Sequence, residues 1–370
     1  MTLDAGAPAR TVGTVRVVGT GLLGTSAALA LVLRGVDVVL VDPSPTAVAL
    51  ARDLGGGRFP ADGDDPAVVL VAAPPDVVAD VVAVELAAHP RAVVTDVASV
   101  KGGPLTALRA AGADLTRYVG SHPMAGRERS GAVAARTDLF AGRPWVLAPT
   151  ATTTALALQV VRDLALDCGG NPVVMGAQEH DEAVALVSHV PQVAASLVAA
   201  RLREASEPAV ALAGQGVRDV TRIAASDPVL WAQILAGNAA PVADVLEDLR
   251  DDLDGVITAL RALAQDPRAR GARGRLAELI AAGGTGRDRI PGKHGSAPAT
   301  YATVVVVVPD RPGALARLLA DVGAAGVNLE DLRLEHSEGQ AVALASIDVV
   351  PAAAGPLAAS LRGAGWTVPL

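Results

Sequence analysis

Over the first 175 residues, short runs of β-branched apolar residues alternate with longer stretches rich in Ala and Leu. TVRVVG (residues 14–19), VDVVLVD (36–42), AVVLVAAP (67–74), AVVTDV (92–97), YVGSHP (118–123) and PWVLAP (144–149) are mostly continuous apolar runs rather than strict alternations. That is the pattern of strands covered on both faces. With helical stretches between them, they predict an α/β fold, a Rossmann-type doubly wound parallel sheet over 13–175. A helix over 152–167 and a short strand over 172–175 close it. From 176 to 284 an all-helical dimerisation domain is expected, with helices over 180–203, 208–224, 228–237 and 241–264. In the last, Val242, Val245, Leu246, Leu249, Leu253, Val256, Ile257 and Leu260 recur with helical period. A basic, glycine-rich stretch (265–275) and a short helix (276–282) follow. The glycine-rich composition of 283–300 predicts a linker, bounded as 285–300. Residues 301–370 read as a strand, a helix, two strands about a turn at 337–339, a second helix and a closing strand in WTVPL. This is a small βαββαβ α+β domain.

Composition narrows the function. The 370 residues carry 31 Lys and Arg against 39 Asp and Glu, a net charge of −8. A phosphate backbone needs a basic surface, so no nucleic acid partner is expected. Half the chain is hydrophobic (51%), which raises the question of a membrane. A spanning helix needs roughly 20 uninterrupted apolar residues. The most apolar stretch, 67–88, is broken by Pro74, Pro75, Asp76, Asp80 and Glu85. No basic segment followed by an apolar core opens the chain. A cytoplasmic protein with no membrane partner is expected. Cys168, the one cysteine, excludes an internal disulfide, and the histidines lack HxxxH or HExxH spacing, so no metal is expected. With three Trp, two Tyr and two Phe, the core must be packed with Val, Leu and Ala.

Gly19-Thr20-Gly21-Leu22-Leu23-Gly24 is a G-x-G-x-x-G string between a predicted strand and a predicted helix. The glycines permit a tight turn, close approach of backbone to a pyrophosphate, and close helix–strand packing. Asp42 ends the second strand, where a carboxylate accepts bonds from ribose hydroxyls and repels a 2′-phosphate; this favours NAD over NADP. Ala73 and Pro74 end the third strand, at the edge where ligands bind such sheets. Ser99 and His122 also follow strand ends, and a charged loop containing Glu128 comes next. A histidine there suits proton acceptance from a hydroxyl. In the helical region Pro191 should interrupt the helix near Val187, with Ser188 and Gln192 on one face. Arg218 and Arg222 lie four apart around Asp219, a pattern for carboxylate binding or a surface ion-pair cluster. So apolar a helical domain suggests a homodimer.

The strings VVGTGLLGTSAALAL, VTDVASVKG, VGSHPMAGRERSG, EHDEAVALVSHVP and RDVTRIAASDPVLW, in this order, resemble the prephenate/arogenate dehydrogenase family of tyrosine biosynthesis. VPDRPGALARLL with GVNLEDLRLEH resembles an ACT domain. The resemblance implies an NAD-dependent oxidoreductase that oxidatively decarboxylates prephenate, or alternatively arogenate. It implies that His122 draws the proton of the substrate hydroxyl as hydride leaves, and that Ser99 orients it near the nicotinamide. Arg222 would bind the ring carboxylate, with Glu128, Arg218, Asp219 and Trp231 around the pocket. Many members carry a second histidine where this chain has Gln192. In the ACT-like tail, Asp310, Pro312, Gly313 and Asn328 would hold tyrosine as a feedback ligand. A β-hydroxyacid-type dehydrogenase is less expected, because those usually use a lysine in the helical domain. Lys101 and Lys293 are the chain's only lysines. A non-enzymatic sensor of NAD and an amino acid would not need Ser99, His122 and Arg222 together.

Overall fold

The computed structural model describes residues 8–126, 131–290, 301–336 and 341–369. The chain divides into two compact units, Met1–Arg250 and Asp251–Leu370. The first opens with β1 (Val15–Val18), α1 (Leu22–Leu33), β2 (Val38–Val41), α2 (Pro45–Asp53), β3 (Val68–Val71), α3 (Val78–Ala88), β4 (Val93–Asp96) and α4 (Gly102–Ala110). β5 (Tyr118–Pro123), β6 (Pro144–Pro149), α5 (Ala155–Asp167) and β7 (Asn171–Val174) complete its sheet region. The seven strands form one sheet in the order β2-β1-β3-β4-β5-β6-β7. Val17, Leu40, Leu70, Val119 and Leu147 are fully buried in it, as double-sided cover requires.

Every neighbouring pair is parallel except β5 and β6, which run antiparallel with His122 opposite Val146. The parallel sheet expected from the sequence is thus present, with this one antiparallel pair within it. A parallel return needs a crossover, usually a helix. Among its described residues the β5–β6 connection holds only a 3-10 turn at Ala132–Ala134.

The helices that follow are α6 (Ala177–Val184), α7 (Val190–Arg201), α8 (Glu207–Ala211), α9 (Gln215–Thr221), α10 (Pro228–Gly237) and α11 (Ala239–Gln265). Between α6 and α7, Ala185–His189 forms a π-helical turn. The interruption expected from Pro191 therefore takes the form of one wide turn, with the proline in the first turn of α7, where its missing N–H is harmless. The helix expected over 208–224 is two short ones, parted at Ala213 and Gly214, where glycine disfavours helix. Contrary to expectation, one helical run, Ala177–Glu204, is long and apolar enough to cross a membrane by length and composition alone. It nevertheless buries His180, Asp181, His189 and Gln192 within its own unit.

In the second unit, α12 spans Ala272–Arg287. The expected short helix and the start of the linker are thus one longer helix. Extending a formed helix adds one backbone bond per residue, which offsets the cost of about 1 kcal/mol per glycine at Gly283, Gly284 and Gly286. The rest of the linker, 291–300, lies outside the described residues. Then come β8 (Ala302–Pro309), α13 (Ala314–Ala324), β9 (Asp331–His336), β10 (Val342–Val349) and α14 (Pro351–Gly363). The strands form an antiparallel sheet ordered β8-β10-β9. The closing strand is reduced to a single bridge, Val307 to Thr367. Trp366 is tied down instead by its side chain: Nε1 donates to Asp321 (2.7 Å), and the Arg317 guanidinium lies 4.7 Å from its ring centre. The turn expected at 337–339 lies outside the described residues.

One carboxylate joins the helical part of the first unit to its sheet. Asp181 on α6 accepts from the backbone N–H of Lys101 (2.8 Å) and of Gly102 (2.7 Å), the residues that open α4. Asp181→Ala leaves these buried donors without an acceptor. It is expected to lower stability by at least about 1–3 kcal/mol, seen as a lower urea midpoint with an unchanged m-value.

Candidate active site

The glycine string forms the turn between β1 and α1, and each glycine answers a different demand. Gly19 has φ +101, and a Cβ there would lie 2.4 Å from the Ala72 carbonyl oxygen. A Cβ on Gly24 would lie 1.9 Å from the Gly19 oxygen, so it permits the close packing of helix on strand. A Cβ on Gly21 would meet nothing within 4 Å. That open side lies at the N-terminus of α1, which has neither a side-chain cap nor an acidic residue in its first turn. Unopposed amides at such an end attract an anion. The loop therefore fits a dinucleotide pyrophosphate.

Asp42 follows β2 and is already partly engaged. One oxygen accepts from the N–H (2.7 Å) and hydroxyl (3.1 Å) of Thr20, and the other from the Ser44 N–H (2.9 Å). It thus braces the glycine turn while presenting a negative edge. Arg52, ten positions further on, is bound to Asp53 (2.6 Å) and stacked on Phe59 (4.6 Å). Ala73 and Pro74 sit in the turn after β3, half-buried and exposed respectively.

His122 projects from β5, half-buried. Its Nδ1 lies 2.9 Å from His180 Nε2, and His180 Nδ1 lies 2.8 Å from Asp181 Oδ1. His180 is fully buried. The resemblance assigns the orienting of His122 to Ser99. Here His180 engages His122 directly, while Ser99 is half-buried in the bend after β4 and has no side-chain hydrogen bond among the described residues.

Beneath this cluster Lys101 is buried with Asp96 in a close ion pair. Asp96 also accepts from Tyr118 Oη (2.7 Å) and the Ala98 N–H (2.8 Å). Gly120 leaves room for this group, since a Cβ there would sit 3.1 Å from Tyr118 Oη and 3.3 Å from Lys101 Cδ. Burial pushes the Lys101 ammonium below its usual value, against the pull of Asp96. Burial, then Asp96, holds the Tyr118 phenol well above its own.

The π turn places His189 in the interior, where its Nδ1 meets Asn238 Nδ2 (3.1 Å) and its ring faces Trp231 edge-on at 6.1 Å. The same Asn238 amide donates to the Asp181 carbonyl (2.7 Å). Gln192 is buried with two long contacts, Nε2 to Ser196 (3.4 Å) and Oε1 from Ser226 (3.5 Å). Ser188 is half-buried within the π turn. Arg218 and Asp219 lie on α9, and Arg222 opens the 3-10 turn after it; all three are exposed. Among the described residues Asp219 is bound by Gln215 (2.7 Å) and not by an arginine. This α9 segment packs against α7, the helix of Gln192. Glu128 lies outside the described residues.

Residues 27–174 match the family model "Prephenate dehydrogenase, nucleotide-binding domain", and residues 176–279 match "Prephenate dehydrogenase, dimerization domain". A probable prephenate dehydrogenase, NovF, of Streptomyces niveus is 42% identical over 302 residues, 81% of this chain and 83% of its own. The chain belongs to the prephenate dehydrogenase family. Prephenate dehydrogenase of A. aeolicus, solved with hydroxyphenyl propionate and NAD+, is similar at a TM-score of 0.65 and 28% identity, over 76% of this chain and 99% of its own. Arogenate dehydrogenase of Synechocystis is similar at 0.61 and 27%, over 75% and 99%.

Within this prephenate dehydrogenase family fold, the sequence reading overlooked His180, Asp181, Lys101, His189 and Asn238 as site-building residues. The His-Asp dipeptide was in view inside EHDEAVALVSHVP. Nothing in its spacing shows that α6 carries it to His122, 58 positions away.

Burial, then the neighbouring His180, Lys101 and His189, hold the His122 imidazole well below the usual 6.5. With His122 as the general base that the resemblance implies, the working form is the unprotonated one. Activity should therefore be full above this lowered value and lost only as pH falls through it. The acid limb of kcat/KM, measured between about pH 5 and 8, is expected to lie below the ordinary histidine pKa near 6.5.

Proposed function

We propose that the protein is a cytoplasmic, NAD-dependent prephenate dehydrogenase. It would convert prephenate to 4-hydroxyphenylpyruvate and CO2, with NADH as the reduced product, in tyrosine biosynthesis. The observation that carries this reading is a half-buried histidine, held below its usual pKa by burial, at the carboxyl edge of a sheet whose first turn has open space beside Gly21 at a helix N-terminus. Gly19, Gly21 and Gly24, with the amides of Leu22 and Leu23, hold the pyrophosphate. Asp42 takes the ribose, and Ala73 and Pro74 border the far side. The nicotinamide ring, when bound, supplies the acceptor for the hydride of substrate C4.

His122 takes the proton of the C4 hydroxyl, so that C4 becomes a ketone. The C1–CO2 bond then breaks and its electron pair enters the ring. The aromatic phenolate that results takes a proton back. Aromatisation drives the step, so the chain's task is to hold C4–H in place and to move one proton. Ser99 supports that geometry. Arg222, with no ion-pair partner among the described residues, takes the ring carboxylate. Ser188, Gln192, Arg218, Asp219, Trp231 and Glu128 complete the pocket.

Arogenate is the second reading, favoured by the exposed Asp219 carboxylate, which no arginine neutralises among the described residues and which suits an ammonium group. Assays of NADH formation with prephenate and with arogenate, repeated with NADP, separate these readings. His122→Asn is expected to lower kcat by about 10²–10⁴-fold with little change in KM. Near-native turnover in that variant removes His122 from the mechanism.

The protein is proposed to act as a homodimer. Leu186, Val187 and Leu197 on the α6–α7 run, and Leu249, Leu253 and Leu260 on α11, are large apolar side chains left exposed in one chain.

The module over 301–370 is proposed to be an ACT-like regulatory domain that binds tyrosine near Asp310, Pro312, Gly313 and Asn328. Gly313 has φ +84 with open space where a Cβ would stand, at the N-terminus of α13. Asn328 is exposed, with its amide on Glu330 (3.1 Å). Tyrosine inhibits through this module if it binds the less active state better. Removing the chain beyond Ile290 is expected to leave turnover and abolish inhibition by tyrosine. Equal sensitivity after truncation would place tyrosine in the active site as a competitor.

A further inference from the structure

Behind the proposed base, two polar residues follow in line with no gap larger than a hydrogen bond. His122 Nδ1 is 2.9 Å from His180 Nε2, and His180 Nδ1 is 2.8 Å from Asp181 Oδ1. The line ends on a carboxylate pinned by the N–H groups of Lys101 and Gly102. We propose that His180 and Asp181 are positioning residues that fix the tautomer of His122 and take over the charge when His122 accepts the substrate proton. The proposal rests on the reading of His122 as the base for a substrate hydroxyl.

The tautomers follow from donor and acceptor chemistry alone. Burial by itself would raise the Asp181 carboxyl, but its bonds from His180, Lys101 and Gly102 hold it below the usual value. At neutral pH it is a carboxylate and only accepts. The His180 nitrogen facing it, Nδ1, must therefore carry hydrogen. A neutral His180 then has a lone pair on Nε2, so His122 must donate to it from Nδ1. That leaves the lone pair of His122 on Nε2, which has no hydrogen-bond partner among the described residues. The acceptor is ready before substrate arrives. His189 provides a contrast within the same region. Its Nδ1 faces an amide donor, Asn238 Nδ2, so it carries its hydrogen on Nε2.

The line also answers a difficulty. A cation on His122 would sit in a desolvated place near Lys101 and His189. When the substrate O–H bond breaks, an N–H bond forms at His122 Nε2. The His122 Nδ1–H bond then breaks as an N–H bond forms at His180 Nε2. His122 is neutral again, and the positive charge rests on His180, in contact with the Asp181 carboxylate. Return of the proton to the phenolate oxygen reverses both transfers, so no other reactant is needed.

The test has two arms on the full-length protein. Nitrogen-15 NMR of histidine-labelled wild type, without substrate, reads which ring nitrogens carry hydrogen. His122 and His180 are expected to be protonated on Nδ1 and His189 on Nε2. A His122 with an unprotonated Nδ1 would overturn the proposal, because His180 would then be donating to it. This arm stands whether or not prephenate is the substrate.

The second arm compares His180→Gln and His180→Phe. Glutamine can still accept from His122 Nδ1 but cannot hold a proton; phenylalanine does neither. His180→Gln is expected to lower kcat by about 10–100-fold, with KM and NAD affinity within about threefold, and His180→Phe to lower it further. Wild-type kcat in both variants overturns the relay while leaving His122 as the base. Absence of prephenate turnover by the wild type would instead overturn the substrate reading, and the NMR arm would still decide the line of tautomers.

Discussion

The carboxylate of Asp181 is the constraint from which the site is built. A buried carboxylate is tolerated only when several donors surround it. Asp181 finds them in two places: the backbone at the start of α4, which belongs to the sheet, and His180 on its own helix. Satisfying that one charge docks α6 against the sheet and at the same time brings His180 to His122. A Cβ on Gly102 would lie 2.8 Å from Asp181 Oδ2, so a larger residue there would push the carboxylate off its backbone donors. Folding and chemistry thus share one set of hydrogen bonds.

The cofactor edge shows a similar sharing. The carboxylate of Asp42, the group proposed to discriminate against a 2′-phosphate, also holds Thr20 inside the glycine turn. On that proposal, changing it would alter both the choice of dinucleotide and the order of the loop that receives it. The Lys101–Asp96 pair has a comparable double role under His122. It fills the space beneath Gly120 with a cation that disfavours charge on His122. The pair therefore helps keep the proposed base neutral without touching it.

Much of this was legible in the sequence because the signals were local. Six of the seven strands of the large sheet announce themselves as largely apolar runs, and the glycine string sits where strand meets helix. The positions of His122 and Ser99 at strand ends follow from the same runs. The direction of β6 was not legible, since antiparallel pairing depends on a connection with no helix of its own to read. Nor was the role of His180, because a partner 58 positions away is set by docking and not by spacing. The continuation of α12 through three glycines was missed for another reason. Composition scores each residue alone, whereas helix growth is cooperative.

The π turn at Ala185–His189 has a consequence for geometry along the helix. His180 and Gln192 are twelve residues apart. In an unbroken α-helix, about 100° per residue would set them roughly 120° apart around the axis. One additional residue accommodated in the wide turn removes about 100° of that, leaving roughly 20°. Both side chains are accordingly buried, although a third of a full rotation would have carried one of them away from the other. The bulge acts as a phase correction. It brings residues from two helical segments into one longitudinal row, and loss of a single residue from it would swing Gln192 and everything beyond it out of line with the histidine.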